Sequence, residues 1–120
     1  MELKEYVEKC HQTAKEKGFW DKEREFGTIL MLIVSELGEA LEADRHTKYA
    51  VSAWDPNTCS DENFVEQFEK NYKDCVTDEL ADTFIRLFDL CGGLGIDIEK
   101  HIQAKMRYNE TRARLHGKSY

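Results

Sequence analysis

Apolar residues recur at spacings of three and four through most of this chain, and no stretch alternates with the period of a strand. With Pro56 as its one proline, the pattern predicts an all-α chain. A first helix spans 2–17, with Leu3, Tyr6, Val7, Cys10 and Ala14 on one stripe and Gly18 as its C-cap. A long helix follows over 24–50. Leu30, Ile33, Val34, Leu37 and Leu41 form its main face for burial, and Ile29, Leu32, Ala40 and Ala43 a flanking one. A helix apolar on more than one side calls for a partner surface, and self-association supplies one. Residues 51–60 read as a loop around the turn Asp55-Pro56-Asn57. Ser60 or Asp61 caps a short helix over 62–72 carrying Phe64, Val65 and Phe68; a lid and an inter-subunit arm both fit it. A helix over 73–91 has Val76, Leu80, Phe84, Leu87 and Cys91 as its core stripe, and Gly92-Gly93-Leu94-Gly95 breaks it. The last helix covers 96–112, with Ile98 and Ile102 facing inward. The sum is one domain, 1–120, a bundle of four to five helices with 51–72 as an insert.

Two acidic turns interrupt this pattern. Ser35-Glu36-Leu37-Gly38-Glu39-Ala40 and Asp78-Glu79-Leu80-Ala81-Asp82 each hold two carboxylates three residues apart, on one helix face. With 24 acidic residues in 120, a single such pair is expected by chance and usually marks a solvated face. Here Glu36 and Glu39 fall among Ile29, Leu32, Ala40 and Ala43, inside an apolar face. Glu79, Asp82, Arg86 and Asp89 form a stripe on a helix otherwise covered by Ala81, Ile85, Phe88 and Leu90. Side by side, the two turns gather four carboxylates, which need a cation or large pKa shifts to sit sheltered together. An all-oxygen set favours a hard ion, Mg²⁺ with Mn²⁺ as substitute. Arg86, one turn beyond Asp82, can neutralise part of this charge and orient a carboxylate.

Charge adds a second pattern. The net charge of −7 argues against general coating of nucleic acid. Yet from Lys105 to the end five Lys or Arg face one acid, Glu110. Following Ile98 and Ile102 along the last helix leads to Lys105, Asn109 and Arg112, so its inward face turns polar and cationic, which suits an anion beside a metal. Lys118 continues the sign. The four cysteines lack C-x-x-C spacing, the charged start Met1-Glu2-Leu3-Lys4-Glu5 shows no secretory signal, and Ile29 to Val34 is too short an apolar run to span a bilayer. A cytoplasmic protein without membrane segments is the plain expectation.

Together, Glu-x-x-Glu, the later Glu-x-x-Asp, Gly18-Phe19-Trp20 and the ending Lys105-Met106-Arg107-Tyr108-Asn109-Glu110-Thr111-Arg112 with His116-Gly117-Lys118-Ser119-Tyr120 resemble the MazG-like all-α nucleoside triphosphate pyrophosphohydrolases. The likeness covers the chain outside 51–72, where the spacer is longer than in compact members of that family. It implies Mg²⁺-dependent hydrolysis of a nucleoside triphosphate to the monophosphate and pyrophosphate, in a house-cleaning role, by a homodimer or homotetramer with sites completed across subunits. Glu36, Glu39, Glu79 and Asp82 would hold the metal. Glu36 or Glu39 would take the proton of the attacking water. Lys105, Arg112 and Lys118 would face phosphates, Asn109 the sugar or a phosphate, and Phe19 or Trp20 the base. Phe19 and Trp20 equally suit a hydrophobic plug over the bundle end.

Two other readings compete. A non-catalytic helical adaptor would carry these acids as surface charge. A di-iron carboxylate bundle would want paired Glu-x-x-His motifs, of which Glu8-x-x-His11 is the single example.

Overall fold

A computed structural model describes residues 1–117; Lys118 lies outside them, as does the side chain of His116. Five α-helices and no strand make up the described residues: α1 (Leu3–Glu16), α2 (Phe26–Arg45), α3 (Asp61–Asn71), α4 (Val76–Leu94) and α5 (Ile98–Glu110). Short 3₁₀ turns occupy Pro56–Thr58 and Arg114–Gly117. No described helix is long and apolar enough to cross a membrane.

Helix α2 stops well before residue 50. Lys48 N–H closes onto Ala43 O, and Thr47 takes a left-handed φ of 53°, which ends helical pairing. Helix α4, by contrast, runs through the glycines predicted to break it. It ends at Gly95, left-handed at φ 65°, with Ile96 N–H returning to Cys91 O. Gly92 and Gly93 serve packing instead. A Cβ on Gly92 would sit 2.6 Å from His11 Cβ, and one on Gly93 2.4 Å from the Trp20 ring. Their missing side chains let α1 and the α1–α2 connection lie directly on α4.

The packed centre is α2 and α1 against α4. Glu36 meets Arg86, while Ile29 and Ile33 meet Leu90, so residue numbers rise along α2 as they fall along α4: the pair is antiparallel. Ile29, Ile33 and Leu90 form the core, with Trp20 packed against it.

Which faces point inward differs from the periodicity reading. On α2 the buried positions are Ile29, Ile33, Glu36, Ala40 and Ala43, mostly the flanking face. The stripe expected to be buried first, Leu30, Val34, Leu37 and Leu41, is exposed, with Val34 at 52%. On α4 the buried positions are Glu79, Thr83, Asp89, Leu90 and Cys91, while Leu80, Phe84 and Leu87 are exposed, Phe84 at 58%. Each exposed stripe sits one residue, about 100°, past the α2–α4 contact line. In an antiparallel pair equal rotations lead to the same side, so the two stripes form one continuous apolar face. α1 covers the opposite side.

Two elements stand apart from this centre. The insert is closed at its base by Val76 N–H to Lys48 O and Val51 N–H to Asn71 O. It has its own aromatic cluster, with Trp54 edge-on to Tyr72 at 4.8 Å and close to Phe64 and Phe68. Helix α5 buries no residue within the chain, so its supposed inward stripe has no core to face here. The molecule exposes 9547 Å², against about 6700 Å² for a compact monomer of 14.0 kDa.

Candidate functional site

The α2–α4 seam brings the two acidic turns together. Glu36 comes from α2 because its spacing from Ile29 and Ile33, seven and three residues, keeps it on the seam. Glu79 comes from the first turn of α4, where the helix N-terminus favours an acid. Glu36 is 7% exposed, Glu79 6%, and Glu39 sits at the open edge. One oxygen from each of Glu36, Glu39 and Glu79 lies within 4.8 Å of the others. Asp82, the fourth expected member, lies outside that tight group but lines the same cavity as Glu36.

Arg86 donates from Nε to Glu36 Oε1 at 2.8 Å. Among the described residues Glu36 Oε2 and Glu79 Oε2 are both buried without a hydrogen-bond partner. Two sheltered carboxylate oxygens left bare would each cost free energy. A hard divalent cation removes that cost, and the donor set fits one.

The charges respond as such crowding demands. Burial pushes Glu36 up, but the hydrogen bond and charge of Arg86 and the neighbouring Glu39 and Glu79 outweigh it, leaving its pKa below the ordinary value. Burial, then the adjacent Glu39 and Glu36 carboxylates and the charge of Asp82, push Glu79 up to about 8. Burial also raises Asp82, with Asp78 and Glu36 adding to it and Arg86 opposing. Without a cation, one acid of the set therefore keeps its proton at neutral pH.

A cavity of about 640 Å³ lies between α1 and the α2–α4 pair, and Glu36 is the member of the cluster that lines it. Glu36, Asp82 and Arg86 line it near one end, and Phe19, Arg24 and Asp89 near the other. From Asp82 to Asp89 along α4 is about 10 Å. Phe19 stands within the cavity with Arg24 6.0 Å from its ring centre. Trp20 does not line it: the indole packs on the core and hydrogen-bonds Asp89 at 2.8 Å. Of the two aromatics expected at a base, Phe19 lines the cavity and Trp20 does not.

The described part of the cationic tail is elsewhere. Lys105, Asn109 and Arg112 do not line the cavity. Lys105 Nζ lies 4.9 Å from the Tyr108 ring centre, Arg112 lies 5.7 Å from the same ring, and Asn109 Oδ1 is buried without a partner among the described residues. Sequence reasoning missed a polar node around Asp89, which takes His11 Nδ1 at 2.9 Å, Trp20 Nε1, and Arg24 at 3.6 Å. No local pattern announces contacts between residues 65 to 78 positions apart. His11 is thus engaged with Asp89 rather than the carboxylate cluster, and Glu8, its partner in the Glu-x-x-His motif, lies near Lys4 on the exposed surface.

No protein-family model, no curated protein and no solved structure matches this chain.

Proposed function

We propose that this protein is a Mg²⁺-dependent nucleoside triphosphate pyrophosphohydrolase of the MazG-like kind, releasing a nucleoside monophosphate and pyrophosphate. One observation carries the reading. Two buried glutamates from different helices each keep an oxygen without a hydrogen-bond partner among the described residues, and one of them, Glu36, lines a cavity that also holds a guanidinium and an exposed aromatic ring. A salt-bridge ladder would leave its carboxylates paired or solvated.

Glu36, Glu39 and Glu79 hold the ion, with Asp82 beside them. Bound Mg²⁺ supplies charge neutralisation, without which this acidic cluster would repel a triphosphate. The chain's residues do the rest. Arg86 keeps Glu36 ionised and fixed, which makes it a poor base and leaves Glu39 to accept a proton. Water oxygen bonds to the α-phosphorus as the bond to the bridging oxygen breaks. The electron pair leaves with pyrophosphate, and the water's proton passes to Glu39. Phe19 stacks on the base at the far end of the cavity.

The apolar face of α2 and α4 is covered by a second copy, giving a homodimer or a larger even assembly. Four exposed apolar side chains on α2 and three on α4 are too many for one free surface. The α5 residues Lys105, Asn109 and Arg112 belong to the site through that assembly.

The test is pyrophosphate release from a panel of canonical and modified (d)NTPs, with Mg²⁺ and with chelator. Release that chelator abolishes is expected. No release from any nucleotide, with no stabilisation by Mg²⁺, would leave the adaptor reading in its place.

A further inference from the structure

We propose that Arg86 is a two-edged residue: its Nε edge fixes Glu36, and its terminal Nη edge binds a phosphate of the substrate directly. The inference rests on the triphosphate reading above.

Arginine and carboxylate commonly meet through two parallel hydrogen bonds. Here Arg86 uses Nε alone, at 2.8 Å from Glu36 Oε1. Among the described residues its two Nη groups have no hydrogen-bond partner, although they carry four of the five guanidinium protons. The side chain is 32% exposed and lines the cavity together with Glu36 and Asp82. Its open edge therefore belongs to the space a ligand would fill, next to the acidic cluster.

That edge has a specific chemical use. A planar fork of donors matches two oxygens of one phosphate, and a guanidinium keeps its charge at any working pH. Placed beside a cation site, it neutralises phosphate charge without competing for the ion's ligands. Arg24 is the other guanidinium on the cavity, but it is committed to Asp89 and lies by the aromatic rings. Lys9 of α1 and Lys17, the residue that ends it, also line the cavity. Arg86 is the lining cation bonded to a member of the acidic cluster, and the phosphate role proposed for it is one that periodicity assigned to α5.

The experiment separates ion binding from phosphate binding. Mn²⁺ affinity is measured by paramagnetic resonance, and affinity for inorganic tripolyphosphate by calorimetry at saturating Mn²⁺, for wild type, Arg86→Gln and Arg86→Lys. We expect Arg86→Gln to leave Mn²⁺ affinity within about threefold and to weaken tripolyphosphate about tenfold or more, with Arg86→Lys between. Unchanged tripolyphosphate affinity in Arg86→Gln overturns the proposal. So does a loss of Mn²⁺ affinity in step with tripolyphosphate, which would mean that Arg86 only holds Glu36. If Arg86→Gln does not fold, Arg86→Lys decides, and wild-type affinity for both ligands there overturns it. A wild-type protein that hydrolyses no nucleotide and binds no tripolyphosphate removes the triphosphate reading itself, whatever the variants do.

Discussion

The indole N–H of Trp20 donates to Asp89 Oδ1 at 2.8 Å, fastening the α1–α2 connection to α4. Asp89 is buried, so the bond replaces solvent that the carboxylate has lost. Trp20→Phe keeps most of the packing and removes the donor. It is expected to cost about 1–3 kcal/mol in urea unfolding. Gly93→Ala, which drives a methyl into the same ring, should cost a similar amount by overpacking. Unchanged midpoints in both variants would show that this fastening contributes nothing.

Glu79→Gln should abolish pyrophosphate release while leaving helical circular dichroism unchanged. The amide imitates the protonated acid and so suits the ion-free fold, but it removes a charged ligand. Stabilisation by Mg²⁺ in thermal unfolding should vanish with it. Retained activity would show that Glu79 is not a ligand.

The raised pKa of Glu79 gives a pH dependence with a definite sign. Between its ordinary 4.5 and about 8, the folded ion-free chain holds a proton that the unfolded chain has released. That stability is fully present below 4.5 and is lost as pH rises through about 8. Glu79→Gln has no such proton, so its chemical stability should fall less than that of wild type between pH 6 and 9. Ion binding has the opposite trend. Mg²⁺ must displace the proton, so affinity should rise over the same range, with proton release seen as buffer-dependent calorimetric heats at pH 7.

Mutations on the apolar face should act on assembly. Wild type is expected to run in light scattering at twice 14.0 kDa or more. Val34→Asp together with Phe84→Asp places two charges on that face and should yield monomers that keep α-helical structure. A monomeric wild type would mean that the face has some other occupant.

Lys105→Ala tests the contribution of α5. It should weaken triphosphate binding more than Mg²⁺ binding, because a lysine adds charge to phosphate and no ligand to the ion. Equal loss of both would argue against a phosphate role. In a monomeric double mutant the same substitution should have little further effect, since α5 does not reach the cavity of its own chain.

Local periodicity by itself determined the helical class, the places where most helices begin, and the two acid turns that meet at Glu36 and Glu79. These follow from neighbours one helical turn apart, and that spacing is written along the chain. It also marked which stripes are apolar, but an apolar stripe states that a surface should leave water and not what will cover it. Tertiary structure decided that the α2–α4 seam takes the face carrying Glu36 and leaves Val34 and Phe84 outside. It also decided that Phe19 lines the cavity while Trp20 bonds Asp89, and that Arg86, read from its spacing to Asp82 as a neutraliser of these acids, reaches Glu36 on the facing helix while α5 stays off the cavity. Each of those outcomes depends on a contact between residues dozens of positions apart, set by how whole helices pack, and no short-range pattern encodes that.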